Sequence, residues 1–239
     1  MGKLPPGEPH FYSYLSHQIR SPLATASFSL QTIQRMDRKL PEADRQKLMQ
    51  TAIDRLLSTQ DLVKKYFDLE AIRAGLALAE VERVGLARAV KAAVGAARPA
   101  AQEKGIELVV HEIDESCTVS ADPAGLQTML DLLLDNAIRY SEAGAGPVEI
   151  EAAAAGEQVR ITIRDHGVGI PADEREEVFE PLHRVHRAES DGTAGAGLGL
   201  SIAKALAERY GGGIRLESRD SQGTTVSVHL IAGDKGADS

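Results

Sequence analysis

The chain has 239 residues, 43 % hydrophobic and 26 % charged, with net charge −8 and a pI near 5.4. The length allows one large domain or two small ones with a sizeable core, and the acidic balance gives nucleic-acid binding no electrostatic support. No apolar run reaches bilayer length, the single Cys117 excludes an internal disulfide, and the N-terminus lacks a signal-peptide core, so a soluble cytoplasmic protein is expected.

Residues 10–73 carry almost no turn signals and predict a helical hairpin. Phe11, Leu15, Ile19, Pro22, Ala26, Leu30 and Ile33 recur at spacings of three and four, which is one stripe of a helix. Met49, Ile53, Leu56, Gln60, Val63, Phe67 and Glu70 form a second stripe, polar at two places. Between them, Pro41 followed by Glu42 and Asp44 marks a helix start, because the N-terminal dipole favours negative charge. Two helices of this length cannot bury their stripes against one partner alone. A homodimer closing into a four-helix bundle is therefore expected.

A connector near 74–80 leads to a region of alternating type. Helices are expected at 85–103, 122–140 and 198–210, and strands at 106–112, 117–120, 147–155, 158–165, 213–218 and 224–231. That order predicts an α+β sandwich, a mixed sheet with helices on one face. The expected division is 1–75 and 80–232, with a disordered tail over 233–239.

Four constellations carry chemistry. In Ser16-His17-Gln18-Ile19-Arg20-Ser21-Pro22-Leu23, His17 stands about 200° of helical rotation from Leu15 and Ile19, so it points away from the stripe. A neutral, exposed imidazole keeps a lone pair for nucleophilic attack near neutral pH. Pro22 removes the backbone hydrogen bond to the carbonyl of Gln18 and is expected to bend the helix there. The second constellation is Asp135-Asn136-Ala137-Ile138-Arg139-Tyr140, at the end of a Leu-rich helix. There the Asn136 amide oxygen can join Mg²⁺ coordination and Arg139 can neutralise phosphate. In the third, Asp165-His166-Gly167-Val168-Gly169-Ile170, an aspartate at a strand end can accept from an adenine amino group, and the glycines let the backbone approach the base. The fourth, Gly195-Ala196-Gly197-Leu198-Gly199-Leu200, opens a helix whose free N–H groups suit phosphate. Between the last two, Val178-Phe179-Glu180-Pro181-Leu182-His183-Arg184 and the polar stretch to Ala194 read as a mobile lid.

In this order the four constellations resemble the catalytic core of a two-component sensor histidine kinase of the HisKA type, from about Phe11 to Ile231. The resemblance implies a dimeric four-helix bundle followed by a Bergerat ATP-binding fold. It also implies ATP and Mg²⁺ as ligands, phosphorylation of His17, and transfer of the phosphoryl group to an aspartate on a response regulator receiver domain. By the same likeness Asn136 is the Mg²⁺ ligand, Tyr140 packs near the adenine, Asp165, Gly167 and Gly169 bind it, and Arg184 reaches the terminal phosphate. Gly195, Gly197 and Gly199, with Leu200, form the second glycine box, and Phe179 and Pro181 match the phenylalanine box. An upstream sensor domain or protein outside this chain is implied as well.

The departures from the pattern are specific. Gln18 stands where the family usually has Glu or Asp as general base, and an amide has no useful basicity near neutral pH. Ser21 replaces the usual Thr or Asn that positions water for dephosphorylating the regulator. Leu132 stands where gyrase- and Hsp90-like ATPases carry a water-activating glutamate, which argues against simple hydrolysis. His166 and Leu182 also replace commoner residues. Gln18 and Leu132 motivate an alternative reading, a degenerate kinase serving as an adaptor or regulatory interaction module. His17, Ser21, Ala24 and Phe28 share a helical face on which a receiver domain would sit, with Phe28 either its anchor or a bundle residue.

Overall fold

The computed structural model describes residues 9–36, 39–76, 80–185 and 195–233. They fall into two compact units, Met1–Asp68 and Leu69–Ser239. The tail beyond residue 233 and the side chain of Phe11 lie outside the described residues.

The first unit contains α1 (Pro9–Met36) and most of α2 (Glu42–Arg73). Arg35 in the last turn of α1 and Glu42 and Asp44 in the first turn of α2 complement the helix dipoles. Along α2, Lys65–Asp61 and Lys64–Asp68 pair at 2.8 Å one turn apart. Each such exposed pair adds only about 0.3–0.5 kcal/mol, so packing has to supply the rest. The buried residues of this unit are Ala26 and Ser29 on α1 and Ala52, Thr59 and Leu62 on α2. On α2 they are spaced by seven and three, the repeat of a helix–helix seam, and the Thr59 hydroxyl is satisfied by the Arg55 carbonyl at 2.7 Å. Of the expected stripe residues Ala26 is buried, while Leu30, Met49, Ile53, Leu56 and Phe67 are 48 %, 47 %, 43 %, 42 % and 65 % exposed in the single chain. Small side chains take the close-packed seam within the unit, and the bulky ones stand beside it. α1 runs unbroken through Pro22.

In the second unit, β1 (Glu82–Gly85) pairs antiparallel with β3 (Thr118–Ala121), with Val84 opposite Val119. β1 was not expected from the sequence: four residues leave no readable alternation, and its state is set by the pairing with β3. α3 (Leu86–Glu103) ends in a Schellman motif, with Gly105 at φ 67° and the Ile106 N–H bonded to the Ala101 carbonyl at 2.8 Å. Ile106 is therefore the apolar residue of a helix cap, which is why β2 is confined to Leu108–Val110 and not the expected 106–112. α4 (Pro123–Tyr140) starts at Asp122, whose carboxylate accepts from the Ala124 and Gly125 N–H groups at 3.2 and 2.9 Å. Such a cap contributes about 1 kcal/mol.

The main sheet runs β2–β4–β5–β7–β6, with β4 (Val148–Ala155), β5 (Gln158–Arg164), β6 (Gly213–Ser218) and β7 (Thr224–Ile231). The β2–β4 pair is parallel and the rest are antiparallel, giving the mixed sheet expected. Register places Ile150 opposite Ile163 and Ile161 opposite Val228, so one face is aliphatic. That face packs against α3, α4 and α5 (Gly199–Arg209), with α4 between the other two. Leu126, Met129, Leu130, Leu133, Leu134, Ala137 and Ile138 give α4 a buried face at helical spacing. Burying each large aliphatic side chain stabilises the unit by about 1.5–3 kcal/mol. No described helix is long and apolar enough to cross a membrane.

Candidate functional site

The C-terminal end of α4, the loop after β5 and the start of β7 enclose an open cleft. One part, of about 430 Å³, is lined by Tyr140, Val168, Gly169, Ile170, Pro171, Val185, Asp220 and Thr224. An adjoining part, of about 360 Å³, is lined by Asn136, Asp165 and Leu200 among aliphatic side chains, and shares Ile170 and Thr224 with the first. Five residues singled out in the sequence, Asn136, Tyr140, Asp165, Gly169 and Leu200, thus meet on one cleft although they span 64 positions of the chain, from 136 to 200.

Asp165 lies at the end of β5 and is 8 % exposed. Its Oδ1 accepts from the Gly167 N–H at 2.9 Å and the Thr224 N–H at 3.1 Å. Burial raises its pKa above the ordinary carboxylate value, while these two N–H groups and His166 oppose the rise. Because both bonds fall on Oδ1, Oδ2 remains for an incoming donor. The glycines next to it are there for space. A Cβ on Gly167 would stand 2.0 Å from the Tyr140 carbonyl, and Gly169, at φ 68°, backs onto the Arg219 carbonyl. The Val168 N–H also bonds the Tyr140 carbonyl at 3.2 Å, stitching this loop to the end of α4.

At the other wall, a Cβ on Gly199 would meet the Asn136 amide, 3.1 Å from Nδ2, so the helix start and the asparagine lie side by side. Gly197 adopts φ 68° and its carbonyl accepts from the Leu182 N–H at 2.8 Å. Gly195 lies beside Arg139 and Tyr140. Arg139 itself pairs with Asp135 at 2.5 Å, one turn back on α4. Phe179, in the 3-10 turn Glu177–Phe179, lies 5.8 Å from the Lys204 ammonium of α5. Arg184 is half-buried and lines neither part of the cleft. The polar stretch expected as a lid, 186–194, lies outside the described residues.

Sequence reasoning missed Ser218, Gly223 and Thr224. Ser218 Oγ accepts from the Ile170 N–H at 2.8 Å and donates to the Gly223 carbonyl at 2.8 Å, which ties the turn before β7 to the loop after β5. Gly223, immediately before an alternating strand, was the one signal available. In the first unit His17 and Ser21 are exposed and Gln18 is half-buried, and the Ser21 carbonyl accepts from the Thr25 hydroxyl at 3.2 Å.

Residues 10–75 match the His Kinase A (phospho-acceptor) domain, and residues 121–233 match the histidine kinase-, DNA gyrase B- and HSP90-like ATPase domain. A sensor-like histidine kinase of Rhizobium meliloti is 32 % identical over 95 % of this chain and 43 % of its own length. The sensor histidine kinase YkoH of Bacillus subtilis is 29 % identical over 92 % of this chain and 47 % of its own. The chain thus spans less than half the length of these relatives. Among solved structures, the Acinetobacter baumannii histidine kinase AdeS shares the fold, with TM-score 0.71 and 21 % identity over 91 % of this chain and 98 % of that one. Full-length ShkA, solved with AMPPNP, gives TM-score 0.64 and 25 % identity over 96 % of this chain and 47 % of its own. With a phospho-acceptor match around an exposed histidine and an ATPase-type match around the cleft, the chain belongs to the two-component sensor histidine kinases, of which it carries the catalytic core.

Proposed function

We propose that the chain is an ATP-dependent protein-histidine kinase that phosphorylates His17 and passes the phosphoryl group to an aspartate of a response regulator receiver domain. The observation that carries this reading is the cleft: the buried Asp165 carboxylate, the Asn136 amide and the start of α5 meet there with backbone too tight for a Cβ at Gly167 or Gly169. This arrangement fits a purine nucleotide. Asp165 Oδ2 accepts from the adenine amino group, Tyr140, Ile170 and Val185 offer apolar walls, and the α5 N-terminus with Gly195, Gly197 and Gly199 receives phosphate. Leu200 closes the floor. ShkA's complex with AMPPNP is in keeping with this assignment.

Mg²⁺ fits the same set, since Asn136 offers a neutral oxygen beside the phosphate end and the ion would neutralise phosphate charge. Arg139, beside Gly195, supplies further positive charge there, and Arg184, outside the cleft lining, reaches the terminal phosphate only by turning towards it. In the reaction a ring nitrogen of His17 forms a bond to the γ-phosphorus, the bond to the β–γ bridging oxygen breaks, and ADP leaves. Gln18 holds one tautomer of His17 by hydrogen bonding but takes no proton, and Ser21 stands where the regulator would be dephosphorylated. The exposed aliphatic side chains of α1 and α2 support a homodimer in which two copies complete a four-helix bundle, and Phe28, 69 % exposed, supports a receiver-domain anchor on the His17 face. The functional division proposed is 1–75 for dimerisation and phosphotransfer and 80–232 for nucleotide binding, working in the cytoplasm under an upstream sensor. Incubation with labelled ATP and Mg²⁺ tests the reading: acid-labile label on the wild type and none on His17→Ala is expected, and equal labelling of both overturns it.

A further inference from the structure

We infer that His183 is a positioning residue of the nucleotide cleft, an imidazole strut that joins its two walls through Glu174 and Glu177. The inference rests on the nucleotide-binding reading of that cleft. His183 Nε2 lies 3.4 Å from Glu174 Oε2, and Nδ1 lies 3.8 Å from Glu177 Oε2. The ring is placed between two carboxylates one turn apart on the segment before it, and its side chain is 20 % exposed against 11 % for Glu174. A charge this sequestered is costly without an opposite charge nearby. A protonated imidazole presents an N–H from each nitrogen and so attracts both carboxylates at once.

The segment held in this way and the one that carries His183 both contribute lining residues to the cleft. The Glu174 N–H bonds the Pro171 carbonyl at 3.2 Å, and its carbonyl accepts from Val178 at 3.1 Å, so Glu174 is fixed to Ile170–Pro171 on one side and to the 3-10 turn on the other. Ile170 and Pro171 line the cleft, and so does Val185, two residues beyond His183. The backbone carbonyl of His183 also seats Gly197, where an added Cβ would stand 2.5 Å from it. The side chain thereby ties 170–177 to the segment that carries Val185, while the backbone of the same residue borders the phosphate-binding glycine. His183 Nε2 is buried without a hydrogen bond, so its hold on Glu174 is coulombic and follows the charge of the ring. Among the described residues Glu174 and Glu177 are the ionisable groups that face it, with Arg184 next in the chain.

The test is calorimetric titration of the full chain with ADP and Mg²⁺. His183→Ala and Glu174→Gln should each weaken binding about tenfold, in line with the sensitivity of bound groups to small displacements, and the double variant should be no worse than either single one because both act through one contact. His183→Lys, which keeps a positive charge between the two carboxylates, should bind ADP more tightly than the uncharged His183→Gln. Unchanged affinity in His183→Ala, multiplicative losses in the double variant, or a His183→Lys affinity no better than that of His183→Gln overturns the assignment. Should His183→Ala fail to fold, the comparison of His183→Lys with His183→Gln alone decides. Asp165→Asn separates this from the underlying reading: if the wild type takes up no ADP, or Asp165→Asn binds it as well as the wild type, the nucleotide reading itself is lost.

Discussion

The Leu182 N–H donates to the Gly197 carbonyl at 2.8 Å, and both residues sit in the left-handed region, Leu182 at φ 67° and Gly197 at φ 68°. For glycine this conformation is free, whereas for leucine it costs about 1–2 kcal/mol. Leu182 is 1 % exposed, so burial of its side chain offsets the strain. Gly197 has no such compensation open to it, since a Cβ there would stand 2.5 Å from the His183 carbonyl and 2.8 Å from the Leu182 carbonyl carbon. Gly197→Ala should therefore destabilise the second unit by about 2 kcal/mol or more, combining conformational strain and backbone displacement. Gly195→Ala meets only side chains at ordinary contact distance, Arg139 at 3.5 Å and the Tyr140 hydroxyl at 3.8 Å, and should be nearly neutral. Thermal unfolding distinguishes them, with a fall of about 4–8 °C expected for Gly197→Ala alone.

Asp165 exchanges stability for ligand recognition. Burial raises its folded-state pKa above the unfolded 3.8. The folded protein then holds this proton more tightly than the unfolded chain does. Stability from this group is full below the unfolded value and is lost as pH rises through the folded one. At neutral pH Asp165 is thus a burden on the empty protein, and Asp165→Asn, which can still accept from Gly167 and Thr224, should melt at the same temperature or higher. The same variant should lose stabilisation by ADP with Mg²⁺, worth about 2.7 kcal/mol in the wild type at a hundred times Kd. Parallel melting curves with and without nucleotide measure both effects. A variant that is both less stable when empty and still stabilised by ADP contradicts the assignment.

The parts of this fold that were readable in advance are those whose signal is local. α4 announces itself through its run of leucines, and β5 through Val159, Ile161 and Ile163 in alternation. The glycine loops were readable because their spacing is itself the requirement for close approach. β1 was not readable, since only pairing with β3 makes Glu82–Gly85 a strand. Ser218 and Thr224 were missed for the same kind of reason: they serve Asp165 and Ile170 from 48 and 59 positions away, and nothing around them in the chain records that distance. Which residues close the hairpin within one chain was not readable, because side-chain size decides it. Ala52 and Thr59 pack closely where a hydrophobicity pattern favoured Ile53 and Leu56.

Ile53 and Leu56 are 43 % and 42 % exposed and lie three residues apart on one face of α2. In the proposed dimer that face is covered by the second copy. Placing glutamate at both positions introduces two charges that the dimer would have to bury. Central interface residues cost about 2–4 kcal/mol each when truncated. Ile53→Glu with Leu56→Glu should shift the protein to monomer in sedimentation equilibrium, while circular dichroism of the second unit and ADP uptake remain unchanged. A double variant that sediments as the wild type removes these residues from the interface.

Gln18 is where the reaction should respond most directly to one substitution. His17 is exposed, and the following side chain is an amide that can hold a tautomer but not accept a proton near neutral pH. As phosphoryl transfer proceeds, the attacking ring becomes more acidic, and a carboxylate at position 18 would both stabilise that charge and remove the proton. General-base assistance contributes about 10²–10⁴-fold where geometry is optimal, and a half-buried side chain next in the helix to the nucleophile should realise the lower part of that range. Gln18→Glu is therefore expected to raise the initial rate of His17 phosphorylation at least about tenfold, with ADP affinity unaltered. The rate gain should disappear as pH falls through the ordinary glutamate range, because the protonated acid is again no base. Measuring initial rates of acid-labile labelling across pH for both proteins checks each part, and a Gln18→Glu rate equal to or below the wild type shows that proton removal does not limit the step.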